Sequence, residues 1–468
     1  MTFARFSNWT LCIFCGFALF SGTVTAQDTL PQRNREAVDE VNARLSKEAR
    51  GIPADELPKI KPLFLAFAKY YADVVSNPMV YKAAIDPKSG PGAPRIPTID
   101  RNNQTGILLE LDRYILEPNL ITKVSNEKAD YIRELGIAFD AVLKPVIETH
   151  GDRIVRINAA RILAEVCRSG ATAHWPTVTA LLTNDNTLTE VKYYALHAAG
   201  NLLAACDLNE YKTRKHSNGP KEVGALAQAI TNCILNPNAI LPAVKAAEAT
   251  PDQLAVIGFI RRSAVRALAQ LRFVTIPGPD GKQSLYPAYT LARVCVSDPM
   301  LVPEPSPAEC AEAAIGLCNM APSVDGNPVK GYNAATAVEA VAAGLKRFAG
   351  PRSDPTDRSL PWRQYSIRIS EALKNWRPLF DPTFEPTQPN NFDASAIPPS
   401  VNDAIERIKT LILAPIEKVD FNNKPDPNAR VDIPEMERFL VQLRSSPQRK
   451  PLLFSNNPDT VLYVPAIK

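Results

Sequence analysis

The chain offers few residues with the capacity for chemistry. Its 468 residues include only four histidines, His150, His174, His197 and His216, and eight cysteines. No two histidines stand four apart and no H-E-x-x-H occurs, so the spacing offers no helical zinc site, and surface or capping positions account for all four. There is no G-x-S-x-G elbow, no P-loop and no G-x-G-x-x-G. Gly278-Pro279-Asp280-Gly281 has the chemistry of a turn rather than of a phosphate cradle, and Glu110 and Asp112 read as ordinary helix charges. The expectation is a chain with no catalytic residue, no metal and no cofactor, although acid–base pairs can assemble from distant positions.

The first 26 residues read as a secretory leader: Arg5 supplies the charge, residues 11–20 the apolar run, and Ala26 ends a small-x-small cleavage pattern before Gln27. The run is too short for a membrane helix, which needs about 20 apolar residues. Cys12 and Cys15 lie inside it, where no lipidation pattern is met, and no other segment suits a membrane span. The expected location is therefore outside the cytoplasm, periplasmic or extracellular. Six cysteines follow the leader: Cys167, Cys206, Cys233, Cys295, Cys310 and Cys318. None forms a C-x-x-C. An even number in an oxidising compartment permits disulfides, while the Ala-rich helical surroundings of several suit buried thiols. Cys310 and Cys318, eight apart, would lie about 12 Å apart along a helix, too far to join each other.

Those positions must be held by a fold, and the middle of the chain repeats. Val155-Arg156-Ile157-Asn158-Ala159-Ala160-Arg161-Ile162-Leu163 aligns with the nine residues from Val191 and the nine from Ile260, and more weakly with those from Pro307. The first three begin with a β-branched aliphatic and a cation. All four carry Ala at the fifth place, as Ala159, Ala195, Ala264 and Ala311, and an apolar pair at the eighth and ninth. Positions 155, 159, 162, 163 and 166 fall on one helical face. The small fifth residue suits a close crossing by a second helix. Such helices bury their stripes only when stacked on neighbours.

The three good segments resemble the second helix of a HEAT repeat, with Asp152-x-x-Val155-Arg156-x-x-Ala159 the fullest match. The resemblance implies a right-handed α-α superhelix over residues 127–349, a structural ladder in which Asp152 pairs with Arg156 and Glu190 substitutes approximately in the next copy, and binding rather than catalysis. In the aligned register Arg161, His197 and Arg266 form one column, and Asn158, Tyr194 and Ser263 a second beside it. If these helices line a concave face, as the resemblance implies, the groove suits an acidic peptide, a carboxylate or an anionic glycan. The plainer reading is a solvated helix face with its usual charges.

Four regions result: the leader at 1–26, an N-terminal helical region at 27–126, the repeats at 127–349, and a C-terminal region at 350–468 rich in proline. Helical patterns beyond the aligned segments fall at 35–50, 63–75, 106–116, 364–376, 401–413 and 434–443, and one at 128–149 feeds the repeats. Residues 273–276 and 283–286 flank a turn and predict a small hairpin. The segment 212–220 is a basic insertion and Asn103-Gln104-Thr105 a glycosylation sequon. Net charge is +4, from 53 basic and 49 acidic residues, a balance without a nucleic-acid signature. The fold class expected is all-α, a HEAT-like solenoid with helical N-terminal flank and Pro-rich C-terminal cap. Its expected function is that of a non-enzymatic scaffold for a protein partner of acidic character. The competing classes are an enzyme or its accessory subunit, and a structural envelope component.

Overall fold

The structure, a computed structural model, describes residues 31–45, 52–77, 106–115, 126–205, 219–242, 244, 248–320, 323–324, 327–328, 332–353, 360–379, 399–420, 426 and 428–444. The leader, Cys206, the sequon and residues 212–218 of the basic insertion lie outside the described residues. The protein is all-α. At its N-terminal end are α1 (Arg35–Leu45), α2 (Leu57–Ser76), α3 (Ile107–Ile115) and the long α4 (Asn126–Thr149). Ile60, Phe64, Phe67 and Tyr71 recur at helical spacing and are buried, so α2 packs one face against α4. Edge-to-face rings join them, Phe64 to Tyr131 at 5.6 Å and Phe67 to Phe139 at 6.2 Å.

From α4 onward the helices form two layers. One comprises α4, α6 (His174–Thr183), α8 (Gly219–Leu235), α10 (Pro287–Cys295) and α12 (Ala334–Ala349). The other comprises α5 (Arg153–Val166), α7 (Thr189–Ala204), α9 (Pro251–Leu268), α11 (Pro307–Cys318) and α13 (Trp362–Leu379). Each helix packs on the next of its own layer, and α4/α5, α6/α7, α8/α9 and α10/α11 pack as hairpins. Proline occupies the first turn of α9, α10 and α11, where its missing N–H has no helical partner to lose. Ser306 and Thr250 close capping boxes with Glu309 and Gln253 at α11 and α9.

The repeated residues explain the stacking. Ala159, Ala195, Ala264 and Ala311 are all buried. Gly200 lies so near α9 that a Cβ there would stand 3.3 Å from Ala267 Cα. The cation at the second place is structural. Arg156 Nε donates to the Ile147 carbonyl at 2.7 Å, in the last turn of α4. Lys192 Nζ, almost wholly buried, donates to the Ala239 carbonyl at 2.6 Å, just past α8, and burial lowers its pKa. Arg156 thereby complements the negative end of a helix in the facing layer. Arg261 Nε instead donates to Glu309 Oε1 at 2.6 Å, with both residues buried. Asp152 caps α5 by accepting the Ile154 N–H at 2.7 Å, and it is Arg153 that pairs with Glu190 across to α7.

The hairpin expected near residue 276 is present but short, β1 (Ile276–Pro277) pairing antiparallel with β2 (Ser284–Leu285). Gly281 takes the left-handed conformation that this turn requires. A second, β3 (Ser323–Val324) with β4 (Asn327–Pro328), was not anticipated. Beyond α13, α14 (Pro399–Ile408) runs through a π turn at Lys409–Leu413 into α15 (Ala414–Glu417), and α16 (Ile433–Arg444) packs on α12. Trp362, Trp376 and Phe439 are buried as a packed cap requires. Cys167, Cys233, Cys295, Cys310 and Cys318 are free, buried thiols.

Candidate functional site

Helices α7, α9 and α13 carry a strip of aromatic and cationic side chains, and α11, packed between the last two, supplies a buried carboxylate beneath it. On α9 the residues from Ile260 to Leu268 are buried except Arg262 and Arg266, which stand four apart. One turn before Arg262, Phe259 is 48% exposed. On α7 the corresponding places hold Tyr193 and His197. A 3.6-residue period puts the third and seventh places of the repeat within about 40° of each other on the outer face. The fourth place is the edge of the packed face, which corrects the expected second column. Ser263 is buried, while Asn158 and Tyr194 are half-buried.

The aromatic half is built by ring contacts. Tyr193 stacks on Phe259, with centroids 5.2 Å apart and planes at 21°, which ties α7 to α9. The His197 ring meets Tyr193 edge-on at 4.5 Å, and Tyr194 lies 6.4 Å from it. Arg262 reaches over Phe259, its guanidinium carbon 5.5 Å from the ring centroid. His197 has an exposed edge, yet desolvation by the surrounding protein, followed by the charge of Arg266, lowers its pKa and favours the neutral ring.

The cationic half is built around Glu312, whose side chain is wholly buried. Arg266 Nε donates to its Oε1 at 2.6 Å. Arg368 grips both oxygens, Nη1 donating to Oε1 at 2.8 Å and Nη2 to Oε2 at 2.5 Å. The Tyr365 hydroxyl donates to Oε1 at 2.9 Å. Burial opposes ionisation of Glu312, but Arg368 and then Arg266 outweigh it and hold its pKa below the usual carboxylate value. Burial, with the charge of Glu312, pushes Tyr365 up to about 12. The two guanidinium groups are thus fixed side by side by a carboxylate that solvent does not reach.

Of the six residues singled out from sequence, Tyr194, His197 and Arg266 belong to this strip. Asn158 and Arg161 sit one helix earlier on α5, which packs on α7, and Arg161 makes no ion pair among the described residues. Sequence reasoning missed Tyr193, Phe259, Arg262, Glu312, Tyr365 and Arg368. Tyr193 and Arg262 were recoverable, because they share the third place of the aligned segments and precede the chosen column by four residues. Glu312 was hidden in the weakest copy, and α13 has no copy at all.

Contrary to the expectation that surface or capping positions account for all four histidines, His174 is fully buried and lies 3.3 Å from Asp140, which also accepts the Thr177 hydroxyl at 3.0 Å. Among the described residues no group of three or more His, Cys, Asp or Glu could hold a metal ion, and no helix is long and apolar enough to cross a membrane. No family model, curated protein or solved structure matches the chain.

Proposed function

We propose that the protein is an exported, non-enzymatic scaffold that recognises a protein partner through this strip, which lines the concave face of a HEAT-like, right-handed helical array. The observation that carries the reading is the immobilisation of Arg266 and Arg368 by buried Glu312, beside aromatic rings continuous across α7 and α9. Preorganised arginine and aromatic side chains are the residue types that dominate binding energy at protein interfaces. The two-layer stacking supports the repeat reading, because each outer face then continues from helix to helix. In-cell cross-linking of the tagged full chain, with mass spectrometry of what is recovered, tests it. A stoichiometric protein linked near α7, α9 and α13 is the expected result. Links confined to the layer of α4, α6 and α8, or no specific protein, would overturn it.

A further inference from the structure

Granting that reading, we infer that the segment bound is an extended acidic peptide, with carboxylates two residues apart meeting Arg262 and Arg266 and a neighbouring aromatic or aliphatic side chain packed on Phe259. Charge is the first argument. Glu312, which holds Arg266 and Arg368, is wholly buried, with both oxygens occupied. Arg262 makes no ion pair among the described residues, and its guanidinium lies over the Phe259 ring. The surface that meets solvent is therefore cationic, while the balancing carboxylate lies beneath it.

Apolar area is the second argument. Phe259 is 48% exposed although its ring is held against Tyr193. Val256, 39% exposed, lies three residues before it on the same helix. A desolvated anchor beside a cation suits a side chain next to a carboxylate, whereas a polyanion without apolar groups would use only the cations. Spacing is the third. Residues four apart on a helix rise about 6 Å, and residues two apart on an extended chain advance about 6.6 Å. One Glu-x-Glu unit laid along α9 therefore brings its carboxylates to Arg262 and Arg266 together.

Fluorescence anisotropy with the full chain tests this, using a labelled peptide of about a dozen residues that carries Glu-x-Glu beside Phe. Replacing both peptide glutamates by glutamine is expected to weaken binding about tenfold or more, and Arg262→Glu in the protein to do the same. Phe259→Ala is expected to weaken it several-fold. Arg262 and Phe259 both lie on the outer face, so thermal melts should confirm that each variant folds. Equal binding of the glutamine peptide, no binding of the acidic one, an unaffected Arg262→Glu protein, or tighter binding of a single-stranded oligothymidine would each overturn the inference. The broader scaffold reading fails separately: it survives those results if cellular cross-links still map to the strip, and falls if they map to the opposite layer.

Discussion

Arg261 and Glu309 are each 1% exposed, and each depends on the other for its charge. Glu309 also accepts the Ser306 N–H at 2.7 Å, so one carboxylate both pairs a cation and caps α11. Removing one member of a buried pair leaves an uncompensated charge and typically costs about 3–5 kcal/mol. Arg261→Met is expected to lose that much in urea unfolding. Adding Glu309→Gln should recover part of it, because glutamine retains the capping box without the charge. Two groups that share Arg266 as a neighbour contribute to acid stability. The pKa of Glu312 is lowered in the folded state, so its contribution is present above the unfolded value and lost as pH falls through the folded one. The pKa of His197 is also lowered, so the fold favours its neutral form and loses stability as pH falls from about 6.5 toward its folded value. Thermal melts should fall as pH drops from about 7 to about 2. His197→Gln should flatten the upper part of the decline and Glu312→Gln the lower part, from a lower plateau. A bound carboxylate would oppose the first effect, so acidic peptides should bind more tightly as pH falls toward 6.

At the scale of elements, small residues set how closely helices approach. A Cβ on Gly316 would stand 2.6 Å from Ala269 Cβ and 2.7 Å from Leu291 Cδ1, against 3.3 Å from Ala267 Cα for one on Gly200. Gly316→Ala must therefore separate α11 from its neighbours, at about 1–3 kcal/mol. Gly200→Ala should lie within about 1 kcal/mol of the parent, since alanine regains helix propensity of roughly that size. Chemical denaturation of the two variants checks the ranking. These crossings were partly legible in sequence, because the fixed alanines of α5, α7, α9 and α11 stand in one column. The facing layer was much less legible. Nearly every side chain of α12 from Ala334 to Leu345 is buried, so no polar face marks a period. The carboxylates were illegible for a related reason: Glu309, Glu312 and Glu339 look like ordinary helix acids until Arg261, Arg368 and Arg444 arrive from other helices.

For the whole molecule, the layer order makes stability a sum of neighbouring contacts, with the tryptophan-rich cap closing one end. Burial raises the pKa of all five described thiols, that of Cys233 to about 11 and that of Cys310 to about 12. In the native protein these thiols are expected to resist Ellman's reagent at neutral pH, and to react together once denaturant unfolds the array. Rapid native labelling of them would contradict the packing described.

The same neighbour-to-neighbour packing makes the array a tether of graded extensibility. Drawn out by force from its two ends, it should yield one hairpin at a time rather than all at once. Aligned segments starting at 155, 191, 260 and 307 place 36, 69 and 47 residues between successive starts. At about 3.6 Å per extended residue, the successive gains in length would be about 130, 250 and 170 Å. Unequal steps would thus reveal, in a single-molecule trace, the order in which the hairpins let go.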